Sequence, residues 1–164
     1  EYAEAARLLR ERYPAAVFRL LGPAETGLGG VPLETVTRWQ EQGLIEYLGE
    51  TRDVRPHVAE AHVLVLPSWR EGTPTAIMEG MSMGRPAVVT DVPGCREVVR
   101  DGDNGLLCRV RDPRSLADAL EHFLKQPSEV ARMGAAGRRL ALEEFDADVV
   151  ASGIVRDMGL KPRR

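Results

Sequence analysis

An almost unbroken apolar run, His62–Leu66, constrains the fold of this chain more than any other segment. Runs of this kind form strands that are buried on both faces of a parallel sheet. A helical pattern from Pro74 to Met83 and a second apolar strand, Ala87–Thr90, follow it. Because two strands joined through a helix run parallel, these three segments predict a βαβ unit.

The rest of the chain alternates between helical and strand patterns in the same way. This order predicts an α/β protein whose strands form one parallel sheet with helices on both faces. The chain is predicted to be helical from Pro113 to its end, with a buried stripe made of Leu116, Ala119, Leu120 and Phe123. The other predicted elements are a helix Tyr2–Arg12, a strand Val17–Leu21, a helix from Pro32 to Gly43, a strand Leu44–Leu48, a helix Val54–Ala61, a helix Cys95–Arg100 and a strand Leu106–Cys108.

The corner between the strand His62–Leu66 and its helix suits an anion. Pro74 is predicted at the first helical position, where its missing N–H costs no hydrogen bond. Thr73 is predicted to cap the next free amides. Several backbone N–H groups and the positive end of the helix dipole therefore converge on this corner, as a phosphate requires.

Two glutamates bracket the corner, Glu71 before the helix and Glu79 about one and a half turns into it. A carboxylate accepts hydrogen bonds from neighbouring hydroxyl groups. Carboxylates on both sides of phosphate-binding amides match a molecule with polyols at both ends of a diphosphate, such as a nucleoside diphosphate sugar. Each glutamate alone also fits a structural role, Glu71 as an ion pair with Arg70 and Glu79 as a capping or salt-bridge residue on a solvated face.

Length, charge and composition exclude several other classes of protein. The 164 residues suffice for one domain with a full core, and the net charge of −3 argues against a nucleic-acid surface. No apolar run reaches the length of a membrane span, and no secretory signal is visible. Cys95 and Cys108 are too few to staple a fold, which favours a reducing cytoplasm. No metal site is predicted, because His57, His62 and His122 lack metal-ligand spacing.

The corner and its surroundings resemble a known enzyme family. The segment Leu66–Pro74, followed by Glu79–Asp91, is similar to the donor half of retaining glycosyltransferase family 4, whose members have two facing Rossmann-like domains. The resemblance implies a Rossmann-like fold that forms the C-terminal half of a GT-B glycosyltransferase. Residues 1–164 would then be the nucleotide-sugar binding domain, without its first strand and without the N-terminal acceptor domain. Further matching pieces are Tyr47–Gly49, Val58–Ala61, Val92–Val99 and Asp103–Leu107.

The resemblance also implies roles for the site residues. Glu71 would contact the hydroxyls of the transferred sugar as the catalytic residue, and Glu79 would bind the ribose diol. Arg52 is a candidate to stack on the base, and an exposed arginine ahead of a helix fits that position equally well. The sugar and the diphosphate would lie on the segment made of Gly72, Thr73, Pro74, Thr75 and Ala76.

The implied reaction is sugar transfer with retention of the anomeric configuration. The donor would be a UDP-sugar in preference to a GDP-sugar, and the acceptor a saccharide or a lipid-linked saccharide of a bacterial surface glycan. Electrostatic stabilisation of the departing diphosphate would replace a metal, and neither glutamate would be a covalent nucleophile. No cofactor is expected, and the expected location is the cytoplasm, including the inner face of the membrane.

Two departures from the family weaken the expected donor binding. In the family, an Arg and a Lys on a loop upstream of the first helix bind the diphosphate, and neither is present here. Thr75 stands where many relatives have an arginine. Because exposed helix ends contribute only about 0.3–1 kcal/mol each to anion binding, this chain alone is expected to bind nucleotide poorly and not to catalyse transfer.

Other functions fit less well or stay open. A dinucleotide-dependent oxidoreductase needs a Gly-x-Gly-x-x-Gly loop, but after Gly27 and Gly29 the third glycine position is Pro32. A degenerate donor domain that serves as a nucleotide-binding module or scaffold stays open. A nucleotide-sugar epimerase or a phosphorylase of the same architecture is the nearest competitor among enzymes, although the lysine that a pyridoxal cofactor needs cannot be placed.

Three features beside the corner have structural interpretations. Gly80 and Gly84, spaced one turn apart, are predicted to allow close packing of the helix on the sheet. The turn Asp91–Gly94 follows a strand and either lines the ligand crevice or is only a tight connection. The methionines Met78, Met81 and Met83 are predicted to fill the core.

Overall fold

The computed structural model of this chain describes residues 1–24 and 30–159. The predicted loop glycines Gly27 and Gly29 lie outside these residues. The helices are α1 Tyr2–Arg10, α2 Leu33–Glu41, α3 Arg55–Glu60, α4 Thr75–Ser82, α5 Pro93–Val98, α6 Pro113–Lys125, α7 Ser128–Glu144 and α8 Ala147–Asp157. The strands are β1 Arg19–Leu20, β2 Glu46–Tyr47, β3 Leu64–Leu66, β4 Ala87–Thr90 and β5 Gly105–Cys108.

The strands pair in parallel, which confirms the predicted α/β fold, but the described residues form two sheets and not one. Strands β1 and β2 make one sheet, and β3, β4 and β5 make the other in the order β3-β4-β5. Leu66 pairs with Val89, and Val89 pairs with Leu107. Because β1 and β2 have only two residues each, their ladder is short and the second sheet carries the main core.

Helices cover both faces of the three-stranded sheet, as predicted. Successive side chains of a strand point to opposite faces, and in β4 the neighbours Val88 and Val89 are both fully buried. Val89 packs in a cluster with side chains of α4, α5 and α7. Val88 packs in a second cluster with side chains of α1, α6 and α7. The sheet is therefore the middle layer of a helix–sheet–helix arrangement.

Strand β3 is less buried than its apolar sequence predicts. Its three residues contact both core clusters but are only half-buried. The reason is its place in the sheet, because β3 lies at the edge and pairs only with β4 among the described strands. The prediction that His62–Leu66 is buried on both faces is therefore wrong for β3, and the strand whose residues are all buried is β4.

The C-terminal helical region consists of three helices, where a continuous helical stretch was predicted. Asp112 caps α6, since its carboxylate accepts a hydrogen bond of 2.9 Å from the amide of Ser115. Helix α7 packs against α4, whereas α8 contains no buried residue. Within residues 1–24 and 30–159, no helix combines the length and apolar character needed to cross a membrane.

Candidate functional site

The predicted corner lies where the carboxyl end of β3 meets the start of α4. Ser68 follows the strand, and the hydroxyl of Thr90, at the end of neighbouring β4, donates a hydrogen bond to the Ser68 carbonyl. Thr90 is buried. This bond fixes the first residues of the loop to the carboxyl edge of the sheet, which is where open α/β sheets bind their ligands.

The start of α4 differs in detail from the prediction. Helix α4 begins at Thr75, and Pro74 is the residue before it, with φ −76° and ψ 81°. The predicted side-chain cap by Thr73 is wrong, because α4 has no side-chain cap. The carbonyl of Thr73 instead accepts a 2.9 Å hydrogen bond from the amide of Thr75. Pro74 is buried and its carbonyl accepts from the amides of Ile77 and Met78 at 3.0 and 3.2 Å.

Several amides at this corner lack an internal acceptor. Within the described part of the chain, the N–H groups of Gly72, Thr73 and Ala76 make no hydrogen bond to backbone or side chain, and all three residues are exposed. Of the amides predicted to bind the sugar and the diphosphate, that of Thr75 donates a hydrogen bond within the chain, to the Thr73 carbonyl. Backbone N–H groups are obligatory donors, so these three are available to solvent or to an acceptor from a ligand.

Neither glutamate has the structural role that the sequence also allowed, which was an ion pair with Arg70 for Glu71 and a cap or salt bridge for Glu79. Glu71 is half-buried and Glu79 is exposed. Among the described residues, neither carboxylate makes a salt bridge or a side-chain hydrogen bond, and Arg70 is likewise without a carboxylate partner. The corner thus combines unpaired carboxylates with unsatisfied amides.

Helix α5 lies against the loop that carries Glu71, which gives the Asp91–Gly94 turn a role beyond connection. Burial raises the pKa of the Cys95 thiol, and the negative charge of nearby Glu71 raises it further. Gly94 touches the same loop, since a Cβ atom there would lie 1.7 Å from the Gly72 carbonyl oxygen. Gly72 itself does not have a positive φ, and a Cβ atom on it would meet nothing within 4 Å.

The far end of α4 shows why its two glycines are present. Close packing on the sheet is confirmed for Gly80, where a Cβ atom would lie 1.7 Å from Leu64 Cδ1. The same interpretation is wrong for Gly84, because a Cβ atom there would meet nothing closer than 4.0 Å. Gly84 has φ +75° and ends the helix. Met81 is fully buried and Met78 packs on the core, as predicted, whereas Met83 is only half-buried.

Arg52 lies ahead of α3 and is exposed. Its guanidinium makes no hydrogen bond or salt bridge within the described residues, unlike that of Arg55, which binds Asp53 at 2.7 Å. An arginine without a carboxylate partner remains available for stacking on a flat ligand. Its role in binding a base stays a prediction.

An aromatic–cation pair beside Glu71 was not foreseen from the sequence. Trp69 is 52% exposed, and its indole N–H donates a 2.9 Å hydrogen bond to Glu1. The guanidinium of Arg111 lies 4.1 Å from the centre of the Trp69 ring. Arg111 has φ 57°, which is uncommon for a residue other than glycine. The only signal in the sequence is a tryptophan two residues before Glu71.

Two surface pockets in the described residues lie beside the short sheet of β1 and β2. A cavity of about 380 Å³ lies at the amino ends of β1 and β2, and one of about 240 Å³ lies at their carboxyl ends beside Leu20 and Tyr47. The corner, which we call the open notch, is exposed at Gly72, Thr73, Thr75, Ala76 and Glu79. No group of three His, Cys, Asp or Glu side chains in the described ranges is placed to hold a metal ion.

Two curated relatives resemble this chain over most of its length. EpsD of Bacillus subtilis (strain 168) is 31% identical over 147 residues, which are 90% of this chain and 38% of EpsD. The N,N'-diacetylbacillosaminyl-diphospho-undecaprenol alpha-1,3-N-acetylgalactosaminyltransferase of Campylobacter jejuni is 25% identical over 151 residues, 92% of this chain and 38% of the relative. The chain therefore spans well under half the length of these relatives.

Solved structures confirm the fold. A sucrose-phosphate synthase from Thermosynechococcus elongatus superposes with a TM-score of 0.80 at 22% identity, over 96% of this chain and 41% of the synthase. Anabaena Alr3699/HepE, solved in complex with UDP, superposes with a TM-score of 0.74 at 17% identity, over 97% of this chain and 53% of HepE. The chain shares the α/β fold of both neighbours, which is of the GT-B type.

The family described as "Glycosyl transferases group 1" matches residues 2–126. This range contains the strand β3, the open notch, helix α4 and both glutamates. The chain belongs to the group 1 glycosyltransferase family.

Proposed function

We propose that this chain is the donor-binding part of a retaining glycosyltransferase. It would hold a nucleoside diphosphate sugar, with UDP-sugars preferred to GDP-sugars, while the sugar passes to a saccharide or lipid-linked acceptor. The observation that carries this proposal is the open start of α4, where exposed amides without an acceptor lie between Glu71 and Glu79, two carboxylates without a cation.

The diphosphate would lie on the amides of Thr73 and Ala76, in line with the positive end of the α4 dipole. Glu79, four residues after Thr75, would accept hydrogen bonds from the two ribose hydroxyls. Glu71 and the Gly72 amide, on the opposite side of the phosphates, would hold the transferred sugar. The base would extend away from α4 towards Arg52.

The chemistry that this arrangement supports is stabilisation of a leaving group. Negative charge grows on the departing diphosphate as the bond between the sugar and the phosphate breaks, and fixed amides stabilise that charge without having to reorient. Glu71 would orient the sugar, and neither carboxylate would attack it. Retention of the anomeric configuration follows from the family resemblance, and an NMR spectrum of the first product formed tests it.

The names of the relatives support the choice of donor and acceptor. HepE was solved with UDP, and the name of the Campylobacter jejuni relative contains a diphospho-undecaprenol acceptor. We extend both to this chain as proposals: a UDP-sugar donor, a lipid-linked acceptor in surface glycan synthesis, and a location at the cytoplasmic face of the membrane.

The active enzyme, in this proposal, contains a further domain that binds the acceptor and contributes cations to the diphosphate. Helix α8 offers an apolar surface for such a domain, because Val150, Ile154 and Met158 lie one turn apart and are 44%, 55% and 67% exposed. A scaffold without activity is the second candidate. It is not favoured, because the curated relative from Campylobacter jejuni is named as a transferase.

A calorimetric titration of a full-length protein that contains this chain tests the proposal. UDP-, GDP- and ADP-sugars are titrated into the wild type and into Glu79→Ala. The wild type is expected to bind one nucleotide class, and Glu79→Ala is expected to bind it roughly 10- to 100-fold more weakly, because hydrogen bonds to a charged group contribute about 1.5–3 kcal/mol. Indifference to every nucleotide would favour the scaffold instead.

A further inference from the structure

Gly94, the second residue of α5, is in direct contact with the loop backbone of the candidate site. A Cβ atom built on it would lie 1.7 Å from the carbonyl oxygen of Gly72 and 2.5 Å from that of Glu71. Distances below 3.0 Å essentially never occur for a real Cβ atom. Because both obstructing atoms are backbone, no side-chain rotation could relieve the overlap, and one of the two segments would have to move.

The segment that would move is the loop. Helix α5 is anchored in the core through Val92, Cys95 and Val98, which are 6%, 0% and 1% exposed. Gly72 is exposed, and Glu71 is only half-buried. A side chain at position 94 would therefore displace the loop outward until the contact opened from 1.7 Å to at least 3.0 Å.

A second observation links the loop to the same helix. The charge of Glu71 acts on the thiol of Cys95, the neighbour of Gly94. The main chain of Glu71 therefore lies against the start of α5, and its carboxylate is near enough for its charge to act on Cys95. The three heavy atoms nearest to a Cβ atom at position 94 belong to Glu71 and Gly72, whereas the amide of Ala76 and the carboxylate of Glu79 belong to α4.

We propose that Gly94 is a positioning residue that sets the depth of the sugar-holding half of the site, which rests on the proposed function. It lets the Glu71–Gly72 backbone lie directly against α5, so that a hexose attached to the diphosphate can reach the Glu71 carboxylate and the Gly72 amide. The nucleotide half of the site, on α4, does not depend on it. Specificity for the sugar therefore depends on Gly94, whereas affinity for the nucleotide does not.

The test compares three glycine variants in a full-length protein that contains this chain. Gly94→Ala is the test variant. Gly134→Ala is the matched control, because its Cβ atom would lie 2.1 Å from the Gly84 carbonyl oxygen, the same kind of overlap at the opposite end of α4. Gly153→Ala is the neutral control, since a Cβ atom there would meet nothing within 4 Å.

The readout is the ratio of two dissociation constants, one for UDP and one for the UDP-sugar that binds best to the wild type, together with kcat and KM for transfer. Gly94→Ala is expected to keep its UDP affinity within about threefold and to lose ten- to hundredfold in UDP-sugar affinity and in kcat, because misplacement by 1 Å can cost about 100-fold in rate. Both control variants are expected to keep the wild-type ratio.

The outcomes separate the two proposals. A wild-type protein that binds no nucleotide would overturn the proposed function, and this inference with it. The role of Gly94 alone would be overturned if the wild type binds the UDP-sugar and folded Gly94→Ala keeps the wild-type ratio. The same holds if folded Gly94→Ala loses affinity for both ligands equally.

A substrate-free measurement keeps the proposal testable if Gly94→Ala does not fold. The thiol of Cys95 is titrated through its Cβ carbon shift by NMR in the wild type and in Glu71→Gln. If the loop lies against α5, removal of the Glu71 charge lowers the pKa of Cys95. An unchanged pKa would place Glu71 away from α5 and contradict the proposal.

Discussion

The two ends of helix α4 differ in how completely their polar groups are satisfied. At the carboxyl end, the amide of Gly84 donates to the Met81 carbonyl at 2.8 Å and that of Arg85 to the Gly80 carbonyl at 3.0 Å, the paired bonds of a Schellman motif. Gly84 is then covered by Gly134 of α7. At the amino end, the exposed amides of Thr73 and Ala76 have no internal acceptor among the described residues.

This difference supports the proposal that the carboxyl end of α4 serves the fold and its amino end a ligand. The chain does use side-chain caps elsewhere, since Asp112 caps α6 and Asp146 caps α8. The start of α4 has a threonine at position 73 that does not cap. Donors without an internal acceptor beside the unpaired carboxylates Glu71 and Glu79 support our proposal that the amino end is the binding end.

The largest effect is expected at the closed end. Gly134→Ala brings a Cβ atom within 2.1 Å of a backbone carbonyl, and overpacking of a core contact typically costs about 1–3 kcal/mol. We expect a loss near the top of that range in the free energy of unfolding, measured by urea denaturation, with donor affinity unchanged in the folded protein. A variant as stable as the wild type would show that α7 is not packed tightly on α4.

The next effect is expected at the open end. Glu71→Gln keeps the shape of the side chain but removes its charge, which weakens hydrogen bonds from sugar hydroxyls by about 1–2 kcal/mol. We expect kcat/KM for transfer to fall roughly 5- to 30-fold, with UDP affinity and stability maintained. An equal loss of UDP affinity would place Glu71 on the nucleotide half and remove the distinction between the two glutamates.

The capped start of α6 provides a pH-dependent contrast. The amide of Ser115 and the guanidinium of Arg109 lower the pKa of Asp112. A carboxyl group whose pKa is lower in the folded state stabilises the fold above its unfolded pKa, and this stabilisation is lost as the pH falls through the folded value. Asp112→Ala should therefore unfold more easily at neutral pH and approach the wild type in acid, in thermal melts across pH. A difference that is constant with pH would contradict this account.

The smallest effect is expected for Arg52→Ala. A stacking or cation–π contact at an exposed site contributes about 0.5–1 kcal/mol, so the affinity for UDP should fall only two- to fivefold in calorimetry. Arg55→Ala, three residues later at the start of α3, is the control, because Arg55 is paired with Asp53. Equal effects of the two substitutions would indicate a general electrostatic contribution and not stacking.

Much of the fold follows from local patterns in the sequence. Strand β4 has the predicted bounds, Ala87–Thr90, and helix α4 begins one residue after the predicted start at Pro74. Strand β3 follows the apolar run but begins two residues later, at Leu64. Periodicity identifies these elements because it records which side chains must avoid water.

The features that sequence reasoning missed depend on contacts between distant segments. The contact of Gly94 with Gly72 and the stacking of Arg111 on Trp69 join residues that no local pattern connects. The prediction that Thr73 caps α4 was wrong for a different reason. Thr73 is a suitable capping residue, but its carbonyl accepts the Thr75 amide directly, so the local backbone geometry overrides the preference of the side chain.

The most direct test of the account is an amide NMR titration of a full-length, isotope-labelled protein with UDP. We predict that the largest shifts fall on Thr73 and Ala76 at the start of α4, and that Gly84 and Arg85 at its closed end do not change. Shifts confined to other sites, such as the cavity beside Leu20 and Tyr47, would contradict the claim that the open end of α4 binds the diphosphate.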